Sequence, residues 1–169
     1  MSDYVDLQLR VRYAETDQMG VAYYSNHFVW FELGRTEFFR KRGFAYKELE
    51  EREGCYATVA EARCRYHAPA RYDDTLTVRT WLKAARGRVI HFEYEIRGEN
   101  GTRIATGETM HVITDKNGRP RSLPDKYVEG LHGQGQDSPQ RPAYAKAPLG
   151  SARDKSAGKR RGHRVGAEK

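Results

Sequence analysis

Apolar and polar side chains alternate at the start of the chain, with Val5, Leu7, Leu9, Val11 and Tyr13 on one side and Asp6, Gln8, Arg10 and Arg12 on the other. That is the period of a strand with one face buried. The alternation breaks over residues 16–20, and Phe28, Phe31, Leu33, Phe38 and Phe39 are then distributed over a helix predicted for residues 26–42. Apolar side chains surround so much of this helix that it must be largely enclosed. Gly43 is placed to end it, and a short helix over 46–52 leads to Gly54.

The remaining pattern is that of strands. Ala60, Ala62, Cys64 and Tyr66 alternate with Glu61, Arg63 and Arg65, Leu76, Val78, Thr80 and Leu82 with Thr77, Arg79 and Trp81, and Ile90, Phe92, Tyr94 and Ile96 with His91, Glu93 and Glu95; a last strand runs over 104–114. Asn100-Gly101 is a strong hairpin signal and Arg86-Gly87 a weaker one. The order β-α-β-β-β-β predicts an α+β fold in which a five-stranded antiparallel sheet wraps around one long central helix. Such a sheet leaves an edge and a partly open apolar face, so self-association is expected.

Composition divides the 169 residues unevenly. Only 38% are hydrophobic and the mean hydropathy is -0.88, low for a chain that is packed throughout. Of the net charge of +7, +6 falls after residue 129, where nine Lys and Arg face three acids among Gly, Gln, Ser, Pro and Ala. The reading is one folded domain over 1–129 and a basic tail over 130–169 that cannot bury enough surface to order itself. The first ten residues lack the basic and apolar regions of a secretion signal, and no apolar run approaches a membrane span. Cys55 and Cys64 form no metal or redox motif and suit a reducing cytoplasm, Cys64 as a small buried thiol.

The candidate chemistry lies between the first strand and the helix. Asp17 stands just ahead of a helix entrance, where unpaired N–H groups and the positive dipole end favour a carbonyl oxygen that is becoming an oxyanion. A T-D-x-x-G string alone reads as a turn or cap. The wider string, Asp17-x-x-Gly20-Val21-x-Tyr23, then Asn26, Trp30-Phe31, Glu32 and Arg35-Thr36-Glu37, with Tyr66, Pro69-Ala70, Tyr72-Asp73-Asp74 and Leu76 beyond, carries more. From about Leu7 to Tyr127 it resembles the hot-dog-fold acyl-CoA thioesterases of the 4-hydroxybenzoyl-CoA thioesterase type, which include the thioesterase associated with the Tol-Pal system.

The resemblance implies hydrolysis of an acyl-CoA thioester to a free acid and coenzyme A, without a metal or other cofactor, in a homodimer or homotetramer whose sites lie between subunits. It implies Asp17 as nucleophile or general base, the backbone N–H of Tyr24 as the group that polarises the carbonyl, and Gly20 as the residue that lets the turn approach closely. Many relatives carry His at position 24, so His27, one turn along, either takes up that role or serves packing and hydrogen bonding. Met19 and Tyr23 are expected at the acyl pocket, and Arg86 and Arg88 where the family binds the nucleotide, although both arginines also read as solvated turn residues. Glu32 and Arg35 read as a helix-surface or interface pair, and His91 and His111 as structural.

Two other functions compete. A non-catalytic acyl-CoA-binding regulator or scaffold would use the same fold, but has no need of an acid beside a thioester carbonyl. The run Lys159-Arg160-Arg161 with Arg164 lacks interleaved aromatics and a folded basic motif, so no specific nucleic-acid binding is expected.

Overall fold

Four hairpin or edge pairings, all antiparallel, build the sheet. The computed structural model describes residues 4–132. Strands β1 (Tyr4–Arg10), β2 (Tyr56–Tyr66), β3 (Thr75–Arg86), β4 (Val89–Gly98) and β5 (Arg103–Thr114) lie in the order β1-β3-β4-β5-β2. Helix α1 (Asn26–Lys41) and the short α2 (Tyr46–Glu53) come between β1 and β2, and α3 (Asp125–His132) follows β5. This is the α+β hot-dog arrangement, with the sheet curved around α1.

The helix buries His27, Trp30, Phe31, Gly34, Phe38 and Phe39, a stripe at three- and four-residue spacing. Phe31 stacks on Tyr94 at 4.4 Å, and Phe38 meets Phe92 edge-on at 5.6 Å. Where the helix presses on β5, Gly107 lies directly under the Phe31 ring. The helix is covered on this stripe only, since Val29 and Leu33 on its other side remain 45% exposed. It ends at Gly43 as expected, with the Gly43 N–H donating to the Arg40 carbonyl at 2.9 Å and the Phe44 N–H to that of Phe39 at 3.0 Å.

Several expectations need correction. β1 stops at Arg10 rather than Tyr13, because the Arg12 N–H donates to the Glu15 carboxylate at 2.8 Å and draws the chain into a tight helical turn over Tyr13–Glu15. β2 is a strand as predicted, but it lies at the sheet edge, where little of its length is covered by the described residues, so Ala60 and Ala62 are exposed and Cys64 is half-buried. The fully buried thiol is Cys55. The Glu32–Arg35 ion pair forms as expected, at 3.7 Å, with Arg35 turned inward, its side chain 12% exposed against 63% for Glu32. The tail boundary falls inside α3, because Leu131 is fully buried and Gly130 fits against the Phe44 ring. Residues 133–169, which hold the rest of the predicted tail, lie outside the described residues.

His111 is structural, as read from the sequence, and it sets a pH dependence. Its Nδ1 faces the Ala57 carbonyl at 3.4 Å, which can only accept, so Nε2 accepts from the Thr109 hydroxyl at 2.8 Å, which in turn accepts from the Tyr94 phenol at 2.7 Å. Burial, with the Arg35 cation on α1 and His91 on β4 nearby, pushes the imidazole down from 6.5 to about 4. The unfolded chain therefore takes up this proton first as pH falls. Stability from this group is complete above about 6.5 and is lost as pH drops toward 4, by up to about 3 kcal/mol. Denaturation in urea at pH 7 and pH 5 should show this loss, and His111→Gln should flatten it.

Candidate active site

The loop between β1 and α1 is fixed by short backbone bonds. An antiparallel bridge joins Thr16 to Ala22, and the Asp17 N–H donates to the Val21 carbonyl at 2.9 Å. Within it the Gly20 N–H donates to the Asp17 carbonyl at 2.9 Å, and Gly20 takes φ +70°, a conformation that strains any residue with a Cβ. The Ala22 N–H donates to the Ala70 carbonyl at 2.7 Å, tying the loop to the β2–β3 connection. The Asp17 carboxylate is half-buried, and its Oδ1 accepts the Met19 N–H at 2.8 Å. Its Oδ2 has no hydrogen-bond partner among the described residues.

Glu15 anchors this loop to the helix. Its carbonyl accepts the Tyr23 N–H at 2.8 Å and the Asn26 side-chain amide at 2.7 Å. Its carboxylate, 5% exposed, accepts the Trp30 indole N–H at 3.2 Å as well as the Arg12 guanidinium at 2.8 Å. Burial pushes this carboxyl up, but the bonds from Arg12 and Trp30 outweigh burial and hold it below its ordinary value. Glu15 was not singled out in the sequence. No periodic signal marks it, since the strand has ended at Arg10 and Tyr13, on the same odd-numbered register, is 77% exposed.

At the helix mouth the Tyr24 carbonyl receives three donors. The His27 backbone N–H stands at 3.4 Å, His27 Nδ1 at 3.1 Å and the Tyr66 hydroxyl at 3.1 Å. The N–H groups of Tyr24 and Ser25 meet no acceptor among the described residues. His27 is buried, edge-on to Tyr66 at 4.9 Å, and burial holds its imidazole below the ordinary value, partly offset by the Tyr24 carbonyl. A carbonyl cannot donate, so Nδ1 carries the proton and the neutral ring keeps Nε2 as an acceptor.

These groups border one cleft of about 460 Å³, lined by Asp17, Met19, Tyr23, Tyr24, His27 and Tyr66, with residues 67–70 along one wall. An electron-rich oxygen and the open end of a helix thus face the same space, the pairing that acyl transfer requires. Five of the eight sequence-predicted site residues line the cleft, and Gly20 shapes its loop without lining it. Arg86 and Arg88 do not meet it. They are exposed at the β3–β4 turn, and twelve residues of β3 at about 3.3 Å each hold them roughly 36 Å from the end of the strand beside the cleft. Among the described residues no group of His, Cys, Asp and Glu is arranged to hold a metal ion, and no helix is long and apolar enough to cross a membrane.

The sequence pattern of the thioesterase-like superfamily matches residues 11–137. The chain is 35% identical to YneP of Bacillus subtilis over 109 residues, 64% of this chain and 78% of that protein. It is 31% identical over 121 residues to the acyl-CoA thioester hydrolase YbgC of Escherichia coli O6:H1, 71% of this chain and 90% of that one. Among solved structures, the DHNA-CoA thioesterase of Staphylococcus aureus superposes with a TM-score of 0.69 at 32% identity, covering 73% of this chain and 83% of that one.

Proposed function

The chain belongs to the thioesterase-like superfamily, and on that premise we propose that it is an acyl-CoA thioesterase, releasing a free carboxylic acid and coenzyme A, with Asp17 and the mouth of α1 as its catalytic groups. One observation carries this reading: Asp17, with its free carboxylate oxygen, and Tyr24, whose N–H at the mouth of α1 meets no acceptor among the described residues, border a single cleft. A thioester carbonyl seated there would place its oxygen at the helix end. Negative charge gathering on that oxygen is stabilised by the N–H dipoles, which are already oriented.

Asp17 Oδ2 serves either of two routes. As a base it takes a proton from water while the water oxygen attacks the acyl carbon; the C–S bond then breaks, and the thiolate takes up a proton. As a nucleophile Oδ2 attacks the acyl carbon itself, expelling the thiolate and leaving a mixed anhydride that water opens. In both, the Met19 N–H on Oδ1 fixes the carboxylate plane. His27, neutral and bonded through Nδ1, holds the helix mouth in place. Met19 and Tyr23 border the space an acyl group would fill.

The exposed edge of β2 supports assembly of two or more copies, since an unpaired edge strand is a template for another chain. In such an assembly Arg86 and Arg88 would serve a nucleotide phosphate only at a neighbour's cleft, because their own is at the far end of β3.

The test is release of free coenzyme A, read with a thiol-reactive dye, from a panel of short, medium and aromatic acyl-CoA thioesters. Turnover of at least one substrate is the expected result. Binding of acyl-CoA across the whole panel with no thiol released would make the protein a non-catalytic acyl-CoA sensor.

A further inference from the structure

The Tyr24 carbonyl is oversubscribed. A carbonyl oxygen has two lone pairs, yet it meets the Tyr66 hydroxyl at 3.1 Å, His27 Nδ1 at 3.1 Å and the His27 backbone N–H at 3.4 Å. The longest of the three is the helix's own bond, so the two side chains hold this oxygen more closely than the first turn of α1 does. One of them comes from a distant part of the chain. Tyr66 ends β2, forty-two residues away, and the bond from the His67 N–H to the Ile104 carbonyl at 2.9 Å fixes that end of the strand to β5.

Bonds to a carbonyl act on the other end of its peptide. Electron density drawn toward the Tyr24 oxygen makes the N–H of the same peptide, that of Ser25, a stronger donor. This N–H has no acceptor among the described residues and lies between Tyr24 and His27, both of which line the cleft. The same grip fixes the plane of the peptide and hence the direction in which the N–H points. Burial and the neighbouring Cys64 push the Tyr66 phenol up to about 12, so it stays protonated and remains a donor across the neutral range.

We propose that Tyr66 is a positioning residue for the reaction: its hydroxyl, together with His27 Nδ1, clamps the Tyr24 carbonyl and so holds the mouth of α1, where Tyr24 lines the cleft, in the orientation that receives the thioester oxygen. The proposal rests on the reading of the helix mouth as the oxyanion site. It assigns the edge strand a part in the chemistry without contact between the Tyr66 hydroxyl and the reacting atoms.

Tyr66→Phe in the full chain tests it, because it removes the hydroxyl and keeps the ring against His27. The expected result is a kcat lowered roughly fivefold, the worth of one neutral hydrogen bond, with KM unchanged and the thermal midpoint lowered by no more than about 3 °C. The Ser25 amide proton should move upfield in a nitrogen-correlated NMR spectrum, a readout that needs no turnover. An unmoved Ser25 resonance with an unchanged kcat overturns the proposal. So does a fall in kcat matched by a lower thermal midpoint with Ser25 unmoved, which makes Tyr66 a packing residue only. Asp17→Asn, assayed in parallel, separates the two claims: if it abolishes turnover while Tyr66→Phe changes nothing, the hydrolase stands and the clamp falls.

Discussion

Asp17→Asn is expected to lower kcat for acyl-CoA hydrolysis about a thousandfold while leaving the fold intact. A positioned base or carboxylate nucleophile contributes factors of this order, about 10² to 10⁴ for proton transfer alone. The substitution isolates the chemistry because the amide oxygen can still accept the Met19 N–H, now made at 2.8 Å, so the loop keeps its shape. Only the free oxygen is replaced, by an NH₂ group that neither takes a proton nor attacks carbon. Steady-state thiol release, with circular dichroism as the control for folding, gives the answer. A variant that is folded and as fast as the parent removes Asp17 from the mechanism.

The largest effect on stability is expected at the other end of the Phe31 side chain. A Cβ on Gly107 would run into the Phe31 ring and lie 2.7 Å from the Arg63 carbonyl. Neither neighbour can give way. Phe31 is stacked on Tyr94 at 4.4 Å and 17°, and Arg63 belongs to the β2–β5 ladder opposite Glu108. Gly107→Ala should therefore cost about 3 kcal/mol, the upper range for overpacking, and lower the melting temperature by roughly 10 °C. An unshifted melting curve would mean that the contact between helix and sheet at Gly107 has room for a methyl group.

The sequence revealed those parts of the fold that depend on local period. Strands β3, β4 and β5 and helix α1 have clear repeats and caps, and their ends fall within a few residues of expectation. Period reports which side chains share a face, and it does not report what covers that face. This is why Ala60 and Ala62 on β2 proved exposed, and why the helix proved covered on one stripe alone. α3 is eight residues beside a Gly-rich stretch, too short for composition to separate from the tail, yet Leu131 buries fully.

The same division runs through the candidate site. Asp17, Met19, Tyr23, Tyr24 and His27 are close in sequence and were legible together. Tyr66 meets them only through the sheet, and its bond to Tyr24 spans forty-two positions that no local pattern connects. Arg86 and Arg88 lie away from the cleft of their own chain for the converse reason: a basic turn is easy to see, but which end of the sheet it occupies depends on how the strands pair.

The strand order also dictates when the molecule can assemble. β1 has its partner in β3, with Tyr4 opposite Trp81, and β2 has its partner in β5, with Tyr56 opposite Thr114, so neither β1 nor β2 finds a neighbour nearby in the chain. Only β3, β4 and β5 are joined by short hairpins, and this three-stranded meander is the one piece able to form from local contacts. The aromatic helix must therefore wait, its Trp30, Phe31, Phe38 and Phe39 without the strands β3 to β5 that cover them, until more than sixty further residues have been synthesised, a state that leaves apolar surface transiently exposed.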